Sequence, residues 1–250
     1  MQLYLIRHGQ STNNVSWEFR DTDGYDRVSD PPLTELGIRQ AQALATYITA
    51  TQSIPDKNIS VGTYRNSVSL THLYSSLMIR AIQTGTVLSD SLGIPLYGLP
   101  EVHEIGGIYL ETLVDGKTEI SFEHGVTPAY LQENFPAFKL HQPIEETGWW
   151  QGGQEPADAP LARANRVLQF LLTKHLGTND HVAVVTHGGF FNTLVRAIFS
   201  IRPDEPDNSN LPIWFSFCNC AMSRFDFGNE RIVFTYHNRT DYFPEELVTC

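Results

Sequence analysis

LYLIRHGQSTNN, residues 3–14, passes from an apolar run to a polar one at Arg7, and VAVVTHGG, residues 182–189, has the same form. Each reads as a short buried strand that ends in His-Gly, at His8 and at His187. Strands with so little polar alternation belong to parallel sheets covered by helices on both faces. Ligands of such sheets bind beyond the carboxyl ends of the strands, so both imidazoles are expected at one crevice.

The surrounding sequence alternates in the same sense. PPLTELGIRQAQALATYI, from residue 31, offers Thr34 as a helix N-cap and places Ile38, Ala41, Leu44, Ala45 and Ile48 on one face. THLYSS at 71–76 predicts a strand, and LMIRAIQTGTVLSDSLG a following helix with Gly93 as its C-cap. Leu161, Ala164, Leu168, Leu171, Leu172 and His175 mark a further amphipathic helix, followed by HVAVVT and a helix over about 189–199. The two strand-like runs around Gly228 and Asn229 predict a hairpin. Together they predict an α/β fold with a mostly parallel central sheet and an antiparallel element at its end.

One domain over residues 1–250 is expected, because 41% hydrophobic content fills one large core. Residues 51–71 and about 108–160 interrupt the alternation and read as insertions, either lids or surface decoration. A net charge of −11 excludes an extended nucleic-acid or anionic-membrane surface. No apolar run is long enough to cross a membrane, and MQLYLIRHG lacks the features of a secretory signal, so a cytoplasmic setting is expected. The sequons NVS, NIS and NRT carry no weight there. Cys218, Cys220 and Cys250 are odd in number and lack metal-type spacing, which predicts free thiols in a reducing compartment.

The third parallel strand brings Arg80 into the first turn of its helix, where backbone N–H groups and the helix dipole favour an anion. Three strand ends thus deliver Arg7, His8, Arg80 and His187, a cluster that a phosphate dianion would neutralise. Gly9 and Gly188 would let the backbone come close. A metal site built from the nine histidines ranks well behind, since no HExxH, paired Cys or Asp-rich spacing supports it.

Four segments in this order resemble the histidine phosphatase superfamily, also called the phosphoglycerate mutase-like family: RHGQSTNN, DPPLTELGIRQAQAL, YSSLMIRAIQT and VVTHGGFF. The resemblance covers most of the chain outside the two insertions. It implies a three-layer α/β/α sandwich with His8 as the nucleophile that forms a phosphohistidine. Arg7, Asn14, Arg80 and His187 would bind the phosphoryl oxygens and stabilise their charge. It implies no metal and no cofactor.

A carboxylic acid must protonate the departing alkoxide and later activate water. In the family this acid follows the third strand, ahead of a glycine. LPEVHEIGGIYLE offers Glu104, preferred because it adjoins Gly106 and Gly107, with Glu101 as the alternative and Glu111 a remote third. His103 reads equally as a pocket group or a solvated loop residue.

Hydrolysis of a small phosphate monoester is favoured over phosphoglycerate mutase-type transfer, because residues 105–160 hold only Lys117 and Lys139 as cations. TGWW, residues 147–150, either lends the pocket aromatic character or packs the insertion. A phosphate-binding module without turnover is the other class, and incubation with p-nitrophenyl phosphate separates the two. The expected partner is a small phosphorylated substrate, with no nucleic acid or membrane, and a homodimer is allowed.

Overall fold

Strand β1 (Gln2–Arg7) carries no charge before its last residue, so both of its faces must be covered. In a computed structural model of the chain they are. Leu3 and Leu5 join one buried cluster, while Tyr4 and Ile6 join another on the opposite face. The structure describes residues 1–18, 28–52, 67–114, 117–199, 213–228 and 230–250.

After β1 come α1 (Thr12–Glu18), α2 (Glu35–Thr51), β2 (His72–Ser75), α3 (Ile79–Leu92) and β3 (Leu96–Gly98). A hairpin of β4 (Tyr109–Val114) and β5 (Lys117–Phe122) follows, then α4 (Pro128–Asn134) and β6 (Lys139–Leu140). The last part holds α5 (Ala159–His175), β7 (His181–Thr186), α6 (Gly188–Ile198), β8 (Met222–Phe227) and β9 (Ile232–Arg239). The central sheet has the order β6-β3-β2-β7-β1-β8-β9. Its pairs from β6 to β1 are parallel, and β8 and β9 are antiparallel. The layers are α2 and α3 on one face and α5 and α6 on the other, the expected mostly parallel three-layer sandwich.

Local signals explain the element ends. Thr34 accepts a hydrogen bond from Gly37 N, and Gly93 closes α3 in the left-handed conformation at φ 66°. Ile38, expected on the buried face of α2, is exposed. The first turn of α2 packs through Gly37 instead, where a Cβ would meet the Gln10 carbonyl oxygen at 2.1 Å.

Most of the expected insertion at 51–71, residues 53–66, lies outside the described residues. The one at 108–160 supplies the β4–β5 hairpin, α4 and the edge strand β6. It is packed onto the start of α3, where Ile108, Val126, Leu131 and Trp149 form one apolar cluster with Leu77, Met78 and Ile82.

The cysteine expectation is corrected: Cys218 and Cys250 form a disulfide, and Cys220 is the free, buried thiol. An odd count and bland spacing say nothing about which thiols meet in space. Here the tail turns back along the stretch before β8, with Asn219 N donating to Thr249 O at 2.8 Å. The cysteine argument for a reducing compartment therefore falls away. No described helix is long and apolar enough to cross a membrane.

Candidate active site

Sheet register places the first groups. Arg7 at the end of β1 pairs with Thr186 at the end of β7, so His8 and His187 emerge side by side, their ring centroids 5.1 Å apart. On the other side of β7, β2 ends level with it, Ser75 opposite Val185, and the chain turns through Leu77 and Met78 into α3. Arg80 in that first turn reaches back to His8, where its Nε–H donates to Nε2 at 3.1 Å. Three adjacent strand ends thus converge as expected.

His8 is almost fully buried and its tautomer follows from its partners. Nδ1–H donates to Gly9 O at 2.7 Å, leaving the lone pair of Nε2 to accept from Arg80. Burial first, and then the charges of Arg80 and Arg7, hold its pKa well below the ordinary histidine range. Burial and Arg80 do the same to His187. Both ring nitrogens of His187, and Nε of Arg7, have no hydrogen-bond partner among the described residues. Arg7 is braced by donating from Nη1 to Phe217 O. Asn14 accepts from Ser11 N and Ser11 Oγ, each at 3.0 Å, which turns its amide so that Nδ2 is left as a donor.

Arg7, His8, Asn14, Arg80 and Glu104 line one cavity of about 240 Å³, whereas His187, fully buried beside His8, is not among the residues lining it. Glu104 arrives on the loop after β3, and its carboxylate caps α6. Oε1 accepts from Ile105 N at 2.8 Å and Phe190 N at 2.9 Å, and Oε2 from Gly189 N at 3.1 Å. A Cβ on Gly189 would lie 2.5 Å from Oε1, so this glycine makes room for the acid. Gly188, expected to allow a close approach, has nothing nearer than Arg7 Nε at 4.0 Å. The close approach at Gly9 is to the backbone of Gly37.

The alternatives for the acid lie elsewhere. Glu101 turns to Arg166, which donates from Nε at 2.6 Å on the exposed side of α5, and Glu111 is exposed on β4. His103 is buried against the rings of Trp149 and Trp150, at 5.3 and 4.9 Å, and the two indoles also touch each other at 5.8 Å. Burial and Arg163 push it down to about 4. The two tryptophans pack this histidine and do not line the cavity, whose apolar wall is Pro31, Met78, Ile105 and Tyr109.

A family model described as the histidine phosphatase superfamily (branch 1) matches residues 3–240. The chain belongs to this superfamily.

Among curated relatives, it is 32% identical over 230 residues to a "Probable phosphoglycerate mutase GpmB" of Yersinia pestis (strain Pestoides F), covering 91% of this chain and 85% of that protein. Among solved structures, it is similar to the ecdysone phosphate phosphatase of Bombix mori, with a TM-score of 0.57 and 18% identity over 93% of this chain and 91% of that one. It is also similar to a phosphoserine phosphatase of Entamoeba histolytica, with a TM-score of 0.55 and 18% identity over 96% of this chain and 98% of that one. At such identity the solved structures speak for the fold.

Three groups of this histidine phosphatase superfamily enzyme carried no signal that a reading of the sequence could use. Asn219 Nδ2 donates to His8 O at 3.1 Å from the loop before β8, and Thr84 Oγ1 accepts from Gly9 N at 3.0 Å. Asp30 accepts from Ile79 N at 3.0 Å at the head of α3 and lies 3.8 Å from Arg80 Nη1. Burial lifts its carboxyl to about 6 although Arg80 opposes this. All three act through tertiary contacts with distant segments, which leave no periodic trace. His72, His175 and Asp180 are the described residues that bring metal-type donors together. They lie at the opposite end of the sheet, where His175 donates to Asp180 at 2.8 Å and pairs with Tyr74 at 3.1 Å.

Proposed function

We propose that this enzyme hydrolyses small phosphate monoesters through a phosphohistidine on His8. The observation that carries the proposal is the tautomer of His8. Its Nδ1–H is committed to Gly9 O, and the lone pair of Nε2 meets the guanidinium of Arg80 at the cavity. A phosphate that takes over the Arg80 hydrogen bonds leaves that lone pair aimed at phosphorus.

The N–P bond forms as the ester P–O bond breaks, and the electron pair leaves with the alkoxide oxygen, which takes a proton from Glu104. Glu104 then accepts a proton from water, the water oxygen attacks phosphorus, and the N–P pair returns to His8. Arg7, Arg80 and Asn14, which line the cavity, hold the equatorial oxygens throughout, and the unpartnered ring of His187 beside His8 joins them when phosphate enters. The positive charge comes from side chains, so a chelator should leave the rate unchanged.

Rapid acid-free quenching during turnover of a labelled monoester should trap acid-labile, base-stable label on His8. Label on Ser or Asp, or loss of activity with chelator, overturns the mechanism.

The name of the Yersinia relative favours a second reading, phosphoglycerate mutase-type transfer. A mutase must hold the carboxylate of its substrate and keep water from the phosphohistidine. Among the described residues lining the cavity the guanidinium groups are Arg7 and Arg80, both claimed by phosphate, and Lys139 lies over the Tyr97 ring at 5.8 Å. Incubation with a phosphoglycerate decides between them: inorganic phosphate as the product supports hydrolysis, and the positional isomer supports transfer.

A further inference from the structure

We infer that Arg163 and Glu155 are positioning residues for Glu104, a role that rests on Glu104 being the acid. The loop that carries Glu104 has little regular structure of its own, a single 3-10 turn over Pro100–Val102. One buried ion pair holds it at three backbone points. Arg163, on α5, donates from Nη1 to Glu101 O at 2.7 Å and to His103 O at 2.8 Å. Its other donors form a fork on Glu155, Nε to Oε1 at 2.8 Å and Nη2 to Oε2 at 3.0 Å. Glu155 Oε2 in turn accepts from Gly106 N at 3.0 Å.

The carbonyls before Glu104 and an N–H after it are therefore tied to one rigid group, with the two side chains only 4% and 5% exposed. The same guanidinium lies 4.6 Å over the ring of Phe190, whose N–H donates to Glu104 Oε1. The acid and the helix end it caps thus share one support. With its backbone held this way, the loop sends Glu104 into the cavity and Glu101 outward to Arg166. Only a guanidinium can serve carbonyls and a carboxylate together from one plane; a lysine at 163 has three donors on a flexible stem.

The test compares the parent with Glu104→Gln, Arg163→Lys and Glu155→Gln, each on an alkyl phosphate and on p-nitrophenyl phosphate. An aryl leaving group needs little protonation, so a misplaced acid is felt on the alkyl ester. Glu155→Gln and Arg163→Lys should lose about tenfold or more in kcat on the alkyl phosphate relative to the aryl one, with KM near that of the parent. The double variant Glu104→Gln/Glu155→Gln should lose no more selectivity than Glu104→Gln alone. A role confined to stability would lower the thermal midpoint and leave the alkyl-to-aryl ratio unchanged, which overturns the inference, as would additive losses in the double variant. Should Arg163→Lys fail to fold, the neutral isostere Glu155→Gln decides alone. A parental ratio in Glu104→Gln overturns the assignment of the acid and this inference with it. A selective Glu104→Gln beside a parental Glu155→Gln overturns the positioning role alone.

Discussion

Arg80 donates to Nε2 of His8 across 3.1 Å, so the guanidinium suited to grip phosphate rests on the atom proposed to attack it. The contact keeps the imidazole neutral and aligned until an anion draws the guanidinium away. Asp30, 3.8 Å from Nη1, holds the arginine from behind. Replacing Arg80 by Ala should lower kcat/KM by roughly a hundredfold or more, as should Ala at Arg7 or His187, with the fold retained. Steady-state kinetics beside circular dichroism checks this, and near-parental kinetics in Arg80→Ala would remove it from the phosphate site.

The buried histidines make stability depend on pH. His8 and His187 titrate well below the ordinary 6.5, and His103 at about 4, because burial penalises their charged forms. At these three positions the unfolded chain therefore binds more protons than the folded one below pH 6.5, and Asp30, raised to about 6, opposes them by one group. The histidines' contribution is fully present above 6.5 and is lost as the pH falls toward the folded values. Each histidine removes up to about 1.4 kcal/mol per pH unit in that window. Urea titrations between pH 7 and pH 4.5 should show the fall, and His103→Gln should reduce its slope. A flat profile would mean that these rings are not buried and neutral in solution.

Placement of the acid separates two neighbouring glutamates. Glu104→Gln should slow alkyl phosphates by about a hundredfold while sparing p-nitrophenyl phosphate, and Glu101→Gln should behave as the parent on both. If the selective defect follows Glu101 instead, the loop enters the site three residues earlier than its hydrogen bonds indicate.

The disulfide braces the site from the tail. Cys218 adjoins Phe217, whose carbonyl holds Arg7, and Asn219, whose amide holds the His8 carbonyl. Reduction, or Cys218→Ser, should cost about 2–4 kcal/mol of unfolding free energy for a loop of this length. It should also lower kcat/KM several-fold. Denaturation with and without reductant measures the first effect, and a reductant should leave the Cys218→Ser variant unchanged. Equal stability of reduced and oxidised parent would exclude the bond in solution.

The chain itself determined the frame of this enzyme. Two apolar runs ending in His-Gly, a capped helix at Thr34 and an arginine in the first turn of α3 are local patterns, and parallel pairing turns them into a shared crevice without further information. The side chains that a strand end or a helix start delivers, Arg7, His8, Arg80 and His187, were legible for that reason. What only the tertiary structure decided sits on irregular backbone. Glu104 rather than Glu101 faces the cavity because Arg163 and Glu155, far along the chain, hold the loop between them. The tryptophans pack His103 instead of facing the cavity, and Cys218 meets Cys250 because the tail returns beside Asn219. Loops follow no repeat of 2 or 3.6 residues, so their side chains are aimed by contacts with partners distant in sequence, and those contacts exist only once the fold has formed.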